Sequence, residues 1–175
     1  ASLTPGDVLI VSGTLGDHGA TILNLREQLG LDGALQSDCA VLTPLIQALR
    51  PIAGVKALRD ATRGGVNAVA HEFAASCGFG VEIQEQHLPL KDAVRGVCEL
   101  LGLDALNFAN EGKLVIGVSR EAADAVLAAL RAHPLGSDAA IIGEVTERRG
   151  VRVAGLYGVK RTLDLPHAEP LPRIC

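Results

Sequence analysis

Asp7-Val8-Leu9-Ile10-Val11-Ser12-Gly13-Thr14-Leu15-Gly16-Asp17-His18-Gly19 is the stretch from which the fold can be read. Its first five residues form a short apolar run behind Thr4-Pro5-Gly6, the pattern of a buried strand. The glycine-rich remainder opens onto a helix predicted at about Ala20 to Leu29. Strand, glycine loop and helix in that order can present backbone amides to an anion at the helix N-terminus, although a plain tight turn fits as well. The spacing matches neither a G-x-G-x-x-G dinucleotide loop nor a P-loop.

The pattern recurs downstream. Thr43-Pro44 reads as an N-cap followed by proline at the first helical position, and Val55 to Leu58 as a strand. That strand meets a second polar loop, Arg59-Asp60-Ala61-Thr62-Arg63-Gly64-Gly65, again ahead of a helix. Val66, Val69, Ala70, Phe73, Ala74 and Cys77 recur at helical spacing there, and Gly78 is the stop signal. Phe79, Val81 and Ile83 alternate as a half-buried strand, and Lys91 to Leu101 is helical with Val94, Val97, Cys98 and Leu101 on one face. A third polar loop, Asn110-Glu111-Gly112-Lys113, precedes an apolar strand from Leu114 to Val118. Ser119 is placed to cap a helix from Glu121 to Ala132. Ala140 to Val145 and Val151 to Ala154 read as strands of a hairpin turned at Thr146 to Gly150, with a last strand around Val159 to Leu163. Helices and strands alternate, so the class is α/β (α+β), one layered domain over residues 1–162. Residues 163–175, with three prolines in the last ten positions, are expected to form a flexible, extended arm ending in Cys175.

Composition narrows the function. Hydrophobic residues make up 48% and charged residues 21%, which excludes a disordered chain. A net charge of −4 without a basic cluster, and only four aromatic residues, speak against a nucleic-acid partner. No apolar run is long enough for a membrane span and no signal-peptide pattern opens the chain; Ala1 in place of Met suggests a fragment or processed product. With no sign of a disulfide framework among its cysteines, the cytoplasm is the expected compartment. The four cysteines, Cys39, Cys77, Cys98 and Cys175, form no CxxC pair and stand at no metal-ligand spacing, so no metal site is expected. His71-Glu72 begins an H-E-x-x-H zinc pattern, but Ala75 stands where its second histidine belongs. Cys77 and Cys98 lie on apolar helical stripes and read as core residues.

The chemistry-bearing residues gather in the three loops and at the terminus. Arg63 and Lys113 can counter phosphate charge, and Asp60 beside Thr62 can meet a phosphate-bound Mg²⁺. His18 and Glu111 are both suited to moving protons; a solvated turn carboxylate is the plainer reading of Glu111. Cys175 is a nucleophile on a tether.

Taken together, Ser12-Gly13-Thr14-Leu15-Gly16-Asp17-His18-Gly19, Asp60-Ala61-Thr62-Arg63-Gly64-Gly65, Ala109-Asn110-Glu111-Gly112-Lys113-Leu114 and the terminal Pro172-Arg173-Ile174-Cys175 resemble the HypE family of hydrogenase maturation proteins. That family belongs with aminoimidazole ribonucleotide synthetase and selenophosphate synthetase, and the likeness covers the C-terminal half only. The resemblance implies a layered α/β/α domain with a mixed sheet. It implies that Cys175 accepts a carbamoyl group from a HypF-type carbamoyltransferase, and that ATP-dependent dehydration converts the thiocarbamate to a thiocyanate. Cyanide would then pass to iron on a HypC–HypD complex. Glu111, with His18 second, is the expected base, and Asp60, Thr62, Arg63 and Lys113 the expected contacts to ATP and Mg²⁺. Most of the ATP site, and the contact of an expected homodimer, would belong to the family's N-terminal half. Two rivals remain: a non-catalytic carrier and docking module, and a fragment of another ATP-dependent synthetase of the superfamily. Prenylation is a poor match, because a C-a-a-X box places its cysteine fourth from the end.

Overall fold

A computed structural model describes residues 3–31 and 33–166. Its elements in chain order are β1 (Val8–Val11), α1 (Asp17–Glu27), α2 (Thr43–Leu49), β2 (Val55–Asp60), α3 (Gly65–Cys77), β3 (Gly80–Gln84), α4 (Asp92–Leu101), β4 (Leu114–Val118), α5 (Ala123–Arg131), β5 (Ala140–Thr146), β6 (Gly150–Ala154) and β7 (Lys160–Thr162), with short 3₁₀ turns between. The seven strands form one sheet in the order β2-β4-β1-β5-β3-β6-β7. It is a mixed sheet, since β3 pairs with β6 in parallel while its other pairings are antiparallel.

The two-residue period of the strands sorts the core. Leu9 and Val11 of β1, with Val115 of β4, face a cluster built on Val66, Val69, Ala70 and Phe73 of α3. Val8 and Ile10, with Leu114, Ile116 and Val118, face Leu45 and Leu49 of α2 and Val126 and Leu130 of α5. A third cluster joins Ala20 and Leu23 of α1 to Val94 and Val97 of α4 around Phe108. The result is a helix–sheet–helix stack with aliphatic filling, as the near absence of aromatic residues requires.

Local boundaries move by a few residues from the sequence reading. The first helix starts three residues early, at Asp17, because Gly16 takes a left-handed N-cap conformation at φ 80°. The residue at the N-cap of α2 is Leu42, with Thr43 already helical and making no cap bond. Ser119 precedes a 3₁₀ turn, Arg120–Ala122, rather than capping α5 itself.

One expectation of topology is overturned. β5 and β6 are not the two arms of a hairpin, because β3 lies between them and pairs with both. Gly80 stands opposite Thr146 on one side and Gly150 on the other, so the intervening residues pass over the start of β3. A Cβ on Gly80 would lie 1.8 Å from Arg148 O, closer than atoms can approach. Arg152 props the crossing from below, with Nη2 donating to Arg148 O and Nη1 to Arg149 O, each at 3.4 Å. Sequence pattern missed this because a short polar connection looks the same whether the strands it joins are neighbours or next-but-one.

Gly80→Ala is expected to destabilise the fold by about 1–3 kcal/mol, the usual range for overpacking. Urea denaturation of the variant checks it; a true hairpin would leave Gly80 unconstrained and the midpoint unmoved.

Candidate functional site

Because β4 runs antiparallel to both β1 and β2, its beginning lies at the same sheet edge as their ends. The three polar loops therefore converge on one edge. Ser12 N–H donates to Leu114 O at 3.0 Å and Leu114 N–H returns a bond to Ser12 Oγ at 2.9 Å. Ala61 N–H donates to Lys113 O at 3.1 Å, and Asn110 N–H to Ala61 O at 3.0 Å.

Asn110 binds all three loops through its side chain. It is fully buried; Oδ1 accepts from Gly16 N–H at 2.7 Å, while Nδ2 donates to Ala61 O at 3.2 Å and Phe108 O at 2.8 Å. One acceptor meets a donor and one amide nitrogen meets two carbonyls, so this network fixes the orientation of the amide. Neither a carboxylate nor a hydrocarbon of that shape could serve all three partners.

A second tie comes from Ser37-Asp38, a stretch that carries no motif in sequence. His18 Nδ1 lies 2.9 Å from Ser37 Oγ. Asp38 Oδ1 accepts from Glu111 N–H at 3.1 Å, and its Oδ2 pairs with Lys113 Nζ at 3.1 Å. That ion pair is nearly dry, the two side chains being 11% and 4% exposed. Its carboxylate oxygen makes no directed hydrogen bond, so the pair is Coulombic contact rather than a well-aligned bridge. Gly112 is required beneath this segment, since a Cβ there would lie 1.8 Å from Asp38 O. His18, Glu111 and Lys113 are thus drawn together by two residues that sequence reasoning did not single out. The signal available was slight: a Ser-Asp pair in a loop between helices.

The N-terminus of α1 is partly filled from within the protein. Gly16 N–H is taken by Asn110 and Gly19 N–H by Ala109 O at 3.2 Å. The carboxylate of Asp17 already occupies the position, 2% exposed, receiving a bond from Thr14 Oγ1 and pairing with Lys91 Nζ at 3.0 Å. An anion there would meet a buried negative charge beside two amides already in use.

The second loop is more open. Thr62 Oγ1 donates to Asp60 Oδ2 at 2.9 Å, and Arg59 Nη1 approaches Asp60 Oδ1 at 3.1 Å. Arg59 Nε also donates to Glu72 Oε2 at 2.7 Å, and that hydrogen bond, with the charges of Glu72 and Asp60, holds the guanidinium above its ordinary range. Arg63 is exposed at the tip and Thr62 half-buried. Lys113, by contrast, runs its stem under Gly13 and has its charge matched by Asp38. Oxygen donors of Asp60 and Thr62, with the exposed Arg63, suit a magnesium-bound triphosphate in chemical type; Lys113 is the poorest fit of the four. Glu111 is exposed, its carboxylate unpartnered among the described residues.

The thiols divide as their sequence setting suggests. Cys77 is half-buried against the α3 core. Burial, with Asp104 and Glu99 nearby, pushes the Cys98 thiol up to about 11. Cys39 is exposed. Cys175 lies outside the described residues.

Comparison with known proteins assigns the fold to a family. The model of the AIR synthase related protein, C-terminal domain, matches residues 4–155. The chain belongs to that family. The carbamoyl dehydratase HypE of Escherichia coli strain K12 is 83% identical over 174 residues, covering 99% of this chain and 52% of that relative. A crystal structure of E. coli HypE, described as a hydrogenase maturation protein, matches with a TM-score of 0.97 over 99% of this chain and 54% of that one. A HypE–HypF complex (42% identity, TM-score 0.91, 94% and 54% coverage) is also similar. So is a HypE in complex with ATP (36% identity, TM-score 0.91, 97% and 53% coverage). The chain spans about half the length of the curated relatives it matches. No described helix is long and apolar enough to cross a membrane.

Replacing Asn110 by Ala leaves Gly16 N–H without its acceptor and Phe108 O without its donor. The expected cost is about 2–4 kcal/mol, from desolvated groups that water cannot reach, read as a shift in the denaturation midpoint. The raised Cys98 thiol sets a second expectation. With its thiol at about 11, only roughly one molecule in a thousand carries the thiolate at pH 8. Iodoacetamide followed by peptide mass analysis should modify Cys39 readily at that pH and Cys98 only as the pH approaches 11.

Proposed function

We propose that this chain is the C-terminal part of a carbamoyl dehydratase of [NiFe]-hydrogenase maturation, whose Cys175 carries the group being converted. The observation that supports it most is the gathering of His18, Glu111 and Lys113 on one sheet edge, next to the Asp60-Thr62-Arg63 loop. Residues 1–162 act as the domain, and residues 163–175 as the arm that brings the sulfur to it.

The carbamoyl group enters as a thioester-like amide, S–C(=O)–NH₂, on Cys175 Sγ, transferred by a HypF-type partner. To reach S–C≡N the carbon must lose its oxygen and the nitrogen both protons. Bound ATP supplies a phosphoryl group to that oxygen, making it a leaving group; Asp60, Thr62 and Arg63 are the residues of this chain suited to hold the nucleotide's phosphates and their Mg²⁺. Glu111 takes protons from the nitrogen, an exposed carboxylate free to swing, with its backbone N–H anchored on Asp38. His18, oriented by Ser37, is the second candidate for a proton. Lys113 holds Asp38, and through it the Glu111 backbone, more than it contacts phosphate.

The cyanide would pass to iron on a HypC–HypD complex, and the whole protein would act as a homodimer in the cytoplasm. One observation favours a carrier role for the isolated chain. The α1 N-terminus is partly filled by Asp17 and the Lys113 charge is matched, so much of the nucleotide's binding must come from the rest of the full-length protein. Calorimetry on the isolated chain should accordingly show weak ATP binding; tight binding would defeat that second reading.

The test of the main reading uses full-length protein with the carbamoyl-transferring partner, carbamoyl phosphate and ATP, following the mass of the C-terminal peptide. Carbamoyl should add at Cys175 and water should then be lost. Glu111→Gln should load normally and lose water at least about 100-fold more slowly, the scale of a missing general base. Label on another cysteine, or an unchanged dehydration rate, would count against it.

A further inference from the structure

Asp60 is met on both oxygens by the protein itself. Thr62 Oγ1 donates to Oδ2 at 2.9 Å, and Arg59 Nη1 stands 3.1 Å from Oδ1. The partner of Oδ1 is thus a full positive charge, at the place where a metal ion would approach the carboxylate. Arg59 is held in that neighbourhood from the other side. Its Nε donates to Glu72 Oε2 at 2.7 Å and its Nη2 to Glu72 Oε1 at 3.4 Å, a two-pronged grip from α3. The guanidinium is therefore fastened to one carboxylate while it touches the other. The side chains of Arg59, Asp60 and Glu72 are all about half exposed, so opening the Arg59–Asp60 contact strands no charge in a dry interior.

These contacts decide what the loop accepts. Magnesium–oxygen bonds are about 2.1 Å long, so a bare dication on Asp60 Oδ1 would stand within roughly 5 Å of Nη1, cation against cation. Arg59 cannot withdraw far while Glu72 holds its other donors. A dication that already carries phosphate is a different guest, because it arrives with anionic oxygens of its own. One of these can take the N–H that Asp60 gives up, and Arg59 keeps its hold on Glu72. The charge balance points the same way. Two carboxylates and one guanidinium carry −1; without the guanidinium they carry −2, which favours a bare cation and disfavours an anionic metal–nucleotide complex.

We propose that Arg59 is a specificity-determining residue, a built-in cation on Asp60 that makes the Asp60-Thr62-Arg63 loop select a phosphate-bound divalent metal over the bare ion. The proposal rests on the reading of that loop as the place of the nucleotide's phosphates and their Mg²⁺.

Full-length protein is titrated by calorimetry with Mn²⁺ alone and with Mn²⁺ bound to a non-hydrolysable ATP analogue, and Asp60→Asn identifies the binding that belongs to this loop. In the parent, the Asp60-dependent affinity should favour the metal–nucleotide complex. Arg59→Met should bind bare Mn²⁺ about threefold more tightly and the complex about threefold more weakly, so that the ratio falls about tenfold. A unit charge about 4 Å away in water is worth about fivefold, less when salt screens it. Arg59→Lys, which restores the charge, should bring the ratio back toward the parent's. A parent that binds bare Mn²⁺ at Asp60 as tightly as the complex overturns the proposal, as does a ratio that does not fall in the Met variant or a Lys variant as permissive as the Met one. If Asp60→Asn leaves binding of the complex unchanged, the reading of the loop as a phosphate site itself fails, whatever the Arg59 variants do.

Discussion

Asn110 is the constraint on which the rest of the edge depends. A sheet can bring three loop-bearing strand ends to one side, but it cannot hold the loops themselves at a fixed separation. The buried amide of Asn110 adds to the backbone bonds between them a single point that joins Gly16, Ala61 and Phe108. Because its donors and acceptor are all used inside the protein, the network contributes rigidity without contributing charge. The charged groups, His18, Glu111, Asp60 and Arg63, can then sit above it at half-buried or exposed positions.

Two acidic residues illustrate how burial divides structural from available charge. Asp17 and Asp38 are both nearly dry and both paired with a lysine, Lys91 and Lys113 respectively. Each would be costly to leave alone, and each pair freezes a loop rather than offering charge to a ligand. Asp60 and Glu111 are the accessible carboxylates of the same edge. A loop rich in charged residues is therefore not uniformly a binding loop; which charges are matched internally determines what remains for a ligand.

The strands and the α3 stripe were legible because hydrophobic period is a local signal: Val8 to Val11 alternate between two core clusters as their spacing requires. The three polar loops were recognisable for the same reason, each lying between an apolar run and a helix or strand. What sequence could not reveal was anything that depends on two distant segments meeting. Ser37-Asp38 has no pattern of its own and matters only because His18, Glu111 and Lys113 come to it. His71 was set aside as half of a zinc motif, and its contact is with a carbonyl 92 residues away. The hairpin between β5 and β6 failed on the same ground, since β3 is inserted from earlier in the chain.

That inserted strand also imposes an order of assembly. β3 ends at Gln84, yet both of its neighbours, β5 and β6, come from the stretch between Ala140 and Ala154. During synthesis β3 must wait, unpaired along both edges, while more than fifty residues follow it. β5 and β6 then close on it from opposite sides, and the residues between them pass over Gly80 as they do. Among the described residues β7 pairs with β6 alone, so it is the last strand to join the sheet. A chain released before residue 154 has been made therefore holds β3 as an open strand, with two edges able to pair with another chain.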